Sequence, residues 1–289
     1  MKMELPLISC MPATTPETIQ GNFTMMRVIA AVLWLAVCCC VPAAWADDQV
    51  SVPILLYHRF GPTVADGMTT KTEVFAAQLK WLKDNGYTVI PLRNLVNYLL
   101  GTGPAPAPKS VVIAADDAHQ TVYSDMFPLV KKYNIPVTIF CYPSCVSRIS
   151  SVKCMTWEQL NELQNTGLFD IQGHTFWHPN FKRDKKKMKP GEYEKSVEAQ
   201  LTKSKAVLEK HLGKKVDLLA WPFGIYDDYL EKEAKKAGYV AAFSIERRLV
   251  TKADAQDMYS LPRYLLANSD GVKNFAAIVE GKAQEKKKK

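Results

Sequence analysis

Short apolar runs alternate along this chain with segments whose apolar positions recur every three or four residues. Val52-Pro53-Ile54-Leu55-Leu56-Tyr57-His58 reads as a buried strand. Glu73 to Asn85 reads as a helix, with Phe75, Leu79 and Leu82 on one face and Gly86 as its stop. Tyr87 to Ile90 is a strand and Leu92 to Leu100 a helix. A Gly/Pro/Ala linker, Gly101 to Pro108, leads into a strand at Val111 to Ala115 and a helix from Thr121 to Tyr133. Val137 to Phe140 is a strand. Thr156 caps the next helix, with Gln159 closing a capping box. Ile171 and its neighbours form a strand. Gly191 to His211 is a long helix, Asp217 to Pro222 a strand, and Tyr226 to Ala237 a helix stopped at Gly238. Tyr239 to Ile245 and Leu261 to Leu266 complete the strands, and Gly271 to Glu280 is a last helix. Strand–helix alternation of this regularity predicts a parallel α/β domain. No fixed-period repeat interrupts Ser51 to Gly281, which reads as one domain.

Polar residues that carry chemistry gather at the carboxyl ends of these strands, where parallel barrels place their sites. Ala114-Ala115-Asp116-Asp117-Ala118-His119 follows one strand, and Gly173-His174-Thr175-Phe176-Trp177-His178-Pro179 follows another. Adjacent aspartates cannot point the same way on a strand, since successive side chains alternate. At a strand end, one can face a cation and the other a bound water. The plain alternative is a turn or capping role before the helix at Thr121. His174 and His178 would also share a helix face, but Pro179 and the preceding strand favour a loop. One carboxylate and two imidazoles can hold a divalent ion with positions left open. The spare carboxylate is then free to act as a base in metal-assisted hydrolysis.

His58 ends the first strand. It is either a buried structural imidazole or a general acid, since imidazole titrates in the useful range. Trp221-Pro222-Phe223-Gly224 ends another strand. Its rings suit the apolar face of a sugar, and the N–H after Pro222 suits an oxyanion; the alternative is core aromatics and a turn. Tyr57 and Trp177, neighbours of these motifs, join Trp221, Pro222 and Phe223 as candidate substrate contacts.

Of 289 residues, 47% are hydrophobic and 23% charged, which suits a globular chain with a sizeable core. The formal net charge is +8. Much of it is local, in Lys182-Arg183, Lys185-Lys186-Lys187 and Lys189, and in Lys286 to Lys289. These read as a solvated loop and a disordered basic tail over 282–289. No helix-turn-helix, RNA-binding or zinc-finger spacing accompanies the charge, so nucleic acid is not an expected partner. Met25-Met26-Arg27, the apolar run Val28 to Val41 and Ala44-x-Ala46 fit an export signal cleaved after Ala46. The chain is therefore expected to be periplasmic or extracellular. Residues 1–46 are the upstream extension and signal, and 47–281 the folded domain. An uncleaved segment would instead associate the chain with a membrane. Four of seven cysteines precede residue 47. Of the rest, Cys145 and Cys154 would close a small loop and leave Cys141 as a thiol; burial as small apolar residues is the alternative.

These motifs resemble the polysaccharide deacetylases of the NodB-homology type, over roughly Pro53 to Leu266. His174-Thr175-Phe176-Trp177-His178-Pro179 matches the family's His-Ser/Thr-x-x-His-Pro motif in full, and Ala114 to Ala118 aligns with Thr-Phe-Asp-Asp-Gly. The resemblance implies Asp116 as catalytic base, with Asp117, His174 and His178 as metal ligands, usually for Zn2+. The donor set also suits Ni2+, Co2+ or Fe2+. Trp221 to Gly224 resembles the family's aromatic-lined turn. Pro53 to His58 looks like the start of the circularly permuted branch, which includes poly-β-1,6-N-acetylglucosamine deacetylases, and this makes His58 the catalytic acid. The implied fold is a distorted (β/α) barrel with about seven parallel strands. The implied substrate is an N-acetylated polysaccharide or oligosaccharide. Ala118 stands where the family has Gly, a departure that crowds the loop or demands a φ it dislikes. A catalytically impaired carbohydrate-binding module on the same scaffold is the alternative reading.

Overall fold

The unbroken apolar runs are strands buried on both faces, as a parallel sheet covered by helices requires. In a computed structural model that describes residues 50–148 and 153–282, eight strands form one parallel sheet. They are β1 (Ile54–Tyr57), β2 (Thr88–Val89), β3 (Ser110–Asp116), β4 (Val137–Cys141), β5 (Phe169–Gly173), β6 (Leu218–Ala220), β7 (Ala241–Phe243) and β8 (Tyr264–Leu265). Seven run in the order β7-β6-β5-β4-β3-β1-β8 and curl as a half-barrel, while β2 pairs with β3 beside them. Residues 258–261, which lead towards β8, bond to β7 and to the residue after it through the Ala242, Ser244 and Leu261 amides. The two ends of the sheet are thereby linked. The expected signal, its cleavage site, the membrane anchor and the tail from residue 283 onward lie outside the described residues. No helix among the described residues is long and apolar enough to cross a membrane.

Side-chain alternation splits the sheet residues into two buried sets. Leu55, Tyr57, Val111, Ile113, Ile139, Ile171 and Leu219 pack with the surrounding helices. Ile54, Leu56, Val112, Ala114, Phe140, Leu218 and Phe243 form the other set, joined by Leu92, Leu95, Val96 and Leu99 of α2 (Leu92–Leu99). The other helices are α1 (Thr72–Asp84), α3 (Phe127–Tyr133), α4 (Trp157–Asn165), α5 (Phe181–Lys187), α6 (Pro190–Leu212), α7 (Asp228–Lys236) and α8 (Lys273–Val279). Thr156 and Gln159 form the expected capping box on α4.

Three local expectations differ from what forms. The helix expected from Thr121 opens as a π-turn over Val122–Met126 before α3. Pro128 lacks an N–H and crowds the carbonyl four residues back, which widens that turn. The strand expected to reach Pro222 stops at Ala220, and Pro222–Gly224 is a 3-10 turn. Lys182 to Lys187, expected as a solvated loop, lies on α5, which is capped by Asn180 and anchored by buried Phe181. Its lysines are solvent-exposed, as the charge run requires.

Candidate active site

Strand register places the functional loops side by side. Tyr57 pairs with Ala115, Asp116 with Phe140, and Cys141 with Gly173. The residues that follow β1, β3, β4, β5 and β6 thus emerge at one end of the sheet. There they wall a cavity of about 410 Å³ that includes His58, Asp116, Asp117, His174, His178 and Phe223.

The backbone at this rim is bent into conformations that side chains disfavour. Asp117 (φ 71°), Ala118 (φ 49°), Thr175 (φ 62°), His178 (φ 58°) and Phe223 (φ 58°) are all left-handed. Such residues persist only where their surroundings over-determine them, and they cluster at functional sites. Ala118 takes the φ that glycine would favour, as its place in the motif predicted. Its carbonyl accepts from the Met155 N–H at 3.0 Å. Cys145 and Cys154 form the expected disulfide, and Cys154 Sγ lies 3.6 Å from the Asp117 carbonyl oxygen. Cys141 is free and buried.

Asp117, His174 and His178 converge. Each imidazole Nε2 lies 3.6 Å from Asp117 Oδ1. These atoms form a cluster able to hold a metal ion. The His174 Nδ1 lies 2.7 Å from the Ala220 carbonyl, so it must donate there, and its Nε2 presents a lone pair. Burial pushes the His174 pKa down to about 3 and also lowers that of His178, so both rings are neutral near pH 7. Asp117 Oδ1 is buried without a hydrogen-bond partner. Three acceptor atoms facing one another with no donor among them repel unless a cation lies between. The donor set therefore fits a divalent ion.

Asp116 is held apart from this trio. Arg263 donates to its Oδ1 and Oδ2 at 2.8 and 2.9 Å, a bidentate pair with both partners buried. Burial alone would raise the Asp116 carboxyl, but Arg263 above all, and then His174, outweigh it and hold the pKa at about 2. Asp117 goes the other way: burial and the Asp116 charge raise it, with only partial relief from His58 and Arg59. The adjacent aspartates are thus split into a fixed anion and a carboxylate whose charge lacks a fixed partner. Asp116 Oδ2 lies 3.8 Å from His174 Nε2, beside the convergent donors.

His58 lines the cavity with Nδ1 buried and unpartnered. Phe223 is 56% exposed, and its ring lies 4.6 Å from that of His178. Trp221 and Phe223 both line the cavity. Trp221, however, is fully buried and donates its indole N–H to the Tyr259 carbonyl, so it forms a wall and offers no open stacking face. Pro222 is buried in the turn. Two expected contacts lie elsewhere. Tyr57 is a core residue: its ring packs on Phe60 and Phe75, and its hydroxyl donates to Gln78 at 2.8 Å. It points away because it alternates with the residues facing the other set. Trp177 is 48% exposed and is absent from the cavity wall.

Three functional residues escaped the sequence reading. Arg263 follows a proline far along the chain, and no local pattern ties it to Asp116. Tyr142, after β4, sits with its ring 5.4 Å from His178. Gln200, buried in α6, accepts from the Phe176 and Trp177 N–H groups at 3.0 Å each, clamping the loop between the two histidines. A glutamine on the mostly apolar buried face of the helix was the one readable signal.

Comparison with known proteins bears on this geometry. Residues 103–242 match the polysaccharide deacetylase family. A poly-beta-1,6-N-acetyl-D-glucosamine N-deacetylase from Staphylococcus epidermidis is 32% identical over 196 residues, 67% of this chain and 66% of that protein. One from Staphylococcus aureus is 31% identical over the same length. The chain thus spans about two thirds of these relatives' length. Among solved structures, the Streptococcus pyogenes deacetylase PplD, in complex with acetate, superposes with a TM-score of 0.69 at 23% identity, over 80% of this chain and 98% of that one. IcaB from Ammonifex degensii gives 0.68 at 24%, over 81% and 97%. At those identities the likeness establishes the fold.

Proposed function

Because the chain belongs to the polysaccharide deacetylase family, we propose that it is a metal-dependent N-deacetylase acting on N-acetylglucosamine units of a polysaccharide. The observation that carries this reading is the convergence of Asp117, His174 and His178 beside a separately held Asp116. The S. epidermidis relative's poly-β-1,6-linked substrate is the first candidate polymer. A divalent ion, zinc first among those the donors suit, would be held by those three residues, and would polarise an acyl carbonyl and acidify water.

The chain's own groups supply the rest. Asp116, ionised across the physiological range, takes a proton from the attacking water. Arg263 occupies one lone pair on each Asp116 oxygen, which fixes the carboxylate plane and leaves others for that proton. The Phe223 N–H, which follows Pro222 in the turn, would donate to the oxyanion. His58 gives a proton to the departing nitrogen as the C–N bond breaks, releasing acetate and an amine. Phe223, open to solvent above His178, is the aromatic face for a sugar ring. Tyr142 remains a neutral phenol: burial, then the Asp117 charge, pushes its pKa up to about 12, so it serves as a hydrogen-bonding wall. Export by the segment ending at Ala46 would bring the enzyme to such a polymer.

Acetate release from N-acetylglucosamine oligomers, measured with chelator and after readdition of Zn2+, tests the proposal. Chelator-sensitive release supports it. Tight oligomer binding without acetate from any metal-loaded sample would favour a binding module instead.

A further inference from the structure

We propose that a second cavity, walled by Phe181, Lys182, Lys186, Tyr193, Tyr226 and Leu230, binds the oxyanion of an acidic saccharide, a carboxylate or phosphate carried on a sugar ring. Its volume is about 350 Å³, at the small end for ligand sites. Tyr193, on α6, is 5% exposed, and its hydroxyl is buried without a hydrogen-bond partner. A buried hydroxyl left unpaired is unfavourable, so a partner that supplies an acceptor is favoured there. Burial, then the charge of Asp227, raises the phenol's pKa and keeps its proton in place.

The charges around the cavity set the sign of the ligand. Lys185 pairs with Asp227 at 2.7 Å, and Asp227 also accepts the Leu230 N–H. Asp184 is engaged by Arg183, and the Tyr226 hydroxyl donates to Glu246. Lys182 and Lys186 have no carboxylate partner among the described residues. Ammonium groups only donate, so the ligand must bring acceptor oxygens and negative charge. The Tyr226 ring, only partly buried, suits the carbon face of a sugar, over a floor of buried Phe181 and Leu230. Position supports the same class. Phe181 follows the His178 loop and Tyr226 follows the Phe223 turn, so the loops that frame the first cavity also wall this one. The inference rests on the deacetylase reading only for the saccharide; the anion site stands on its own contacts. A cationic amine unit, the product of deacetylation, would be repelled here.

The test titrates the full chain, metal-free, with glucuronic acid, glucose 6-phosphate, inorganic phosphate and N-acetylglucosamine, observed by calorimetry and by the tyrosine ring signals. At least one acidic sugar should bind tenfold or more tightly than N-acetylglucosamine, weaken as salt rises, and shift the Tyr193 and Tyr226 signals. Tyr193→Phe should weaken it several-fold, and Lys182→Gln with Lys186→Gln further. Acetate release from a short neutral oligomer should be unchanged in both variants. Equal affinity for the neutral sugar, or insensitivity to both variants, would overturn the site. Inorganic phosphate binding as tightly as glucose 6-phosphate would overturn its saccharide character. Anion binding intact with no acetate released would sink the deacetylase reading and leave this one standing.

Discussion

Replacing Arg263 with methionine is the sharpest probe of how the two aspartates are divided. Arg263 is 0% exposed, donates to both Asp116 oxygens and also to the Ser244 carbonyl at 2.9 Å. Methionine keeps most of the volume and removes every donor. It leaves a buried carboxylate without its counter-charge, a change that costs about 3–5 kcal/mol. That is a large share of the roughly 5–15 kcal/mol a domain has in hand. The expected signs on titration are also fixed. Asp116 sits near pKa 2 because Arg263 outweighs burial. Without the guanidinium, burial wins and the carboxyl moves up, so the acid limb of the pH–rate profile should climb into the measurable range. Urea unfolding at pH 7 of the parent, Arg263→Met, Asp116→Asn and the double variant closes a cycle. The double should cost less than the sum of the singles by at least about 1 kcal/mol, beyond the ~0.5 kcal/mol scatter of independent sites. Additivity within that scatter, or a single-variant cost below about 1 kcal/mol, would refute the reasoning.

Other residues carry separate expectations. Gln200→Leu frees the Phe176 and Trp177 N–H groups and should cost about 1–3 kcal/mol in thermal or urea unfolding; Zn2+ affinity measured by calorimetry should fall with it, and unchanged affinity would deny the clamp. Ala118→Gly relieves a left-handed alanine and should leave stability the same or raise it by up to about 1 kcal/mol; marked destabilisation would show that the methyl packing matters more than the φ. Asp217 sits below the ordinary carboxylate range: burial opposes this, but Arg93 and Lys215 outweigh it. A depressed folded pKa stabilises above about pH 4, the unfolded value, and that contribution is lost as pH falls through the folded one. Asp217→Asn should therefore flatten the acid side of the stability–pH curve, and an unaltered curve would remove Asp217 from the account.

The strands and helices were legible because burial on both faces leaves unbroken apolar runs, and helix faces keep their period. The His174–His178 loop and the Asp116–Asp117 pair were legible because their spacing and the strands before them are local. What lay hidden was made by long-range contact. Arg263 meets Asp116 across 147 residues of chain, and Gln200 reaches the histidine loop from a helix whose periodicity marks only a buried face. Tyr57 was misplaced for a different reason: a strand buried on both faces gives no polar residue to say which way its side chains alternate. The lysines of α5 read as loop because a run of like charges hides the Asn180 cap and the Phe181 anchor.

Metal content and turnover, measured together on Asp116→Asn and His174→Ala, test the central claim most directly. The account predicts one divalent ion per parent chain. Asp116→Asn should retain that ion while acetate release falls by about two to four orders of magnitude, the usual range for a general base; His174→Ala should lose both. An Asp116→Asn chain that turns over near the parent rate, or a His174→Ala chain that keeps a full equivalent of metal, would contradict it.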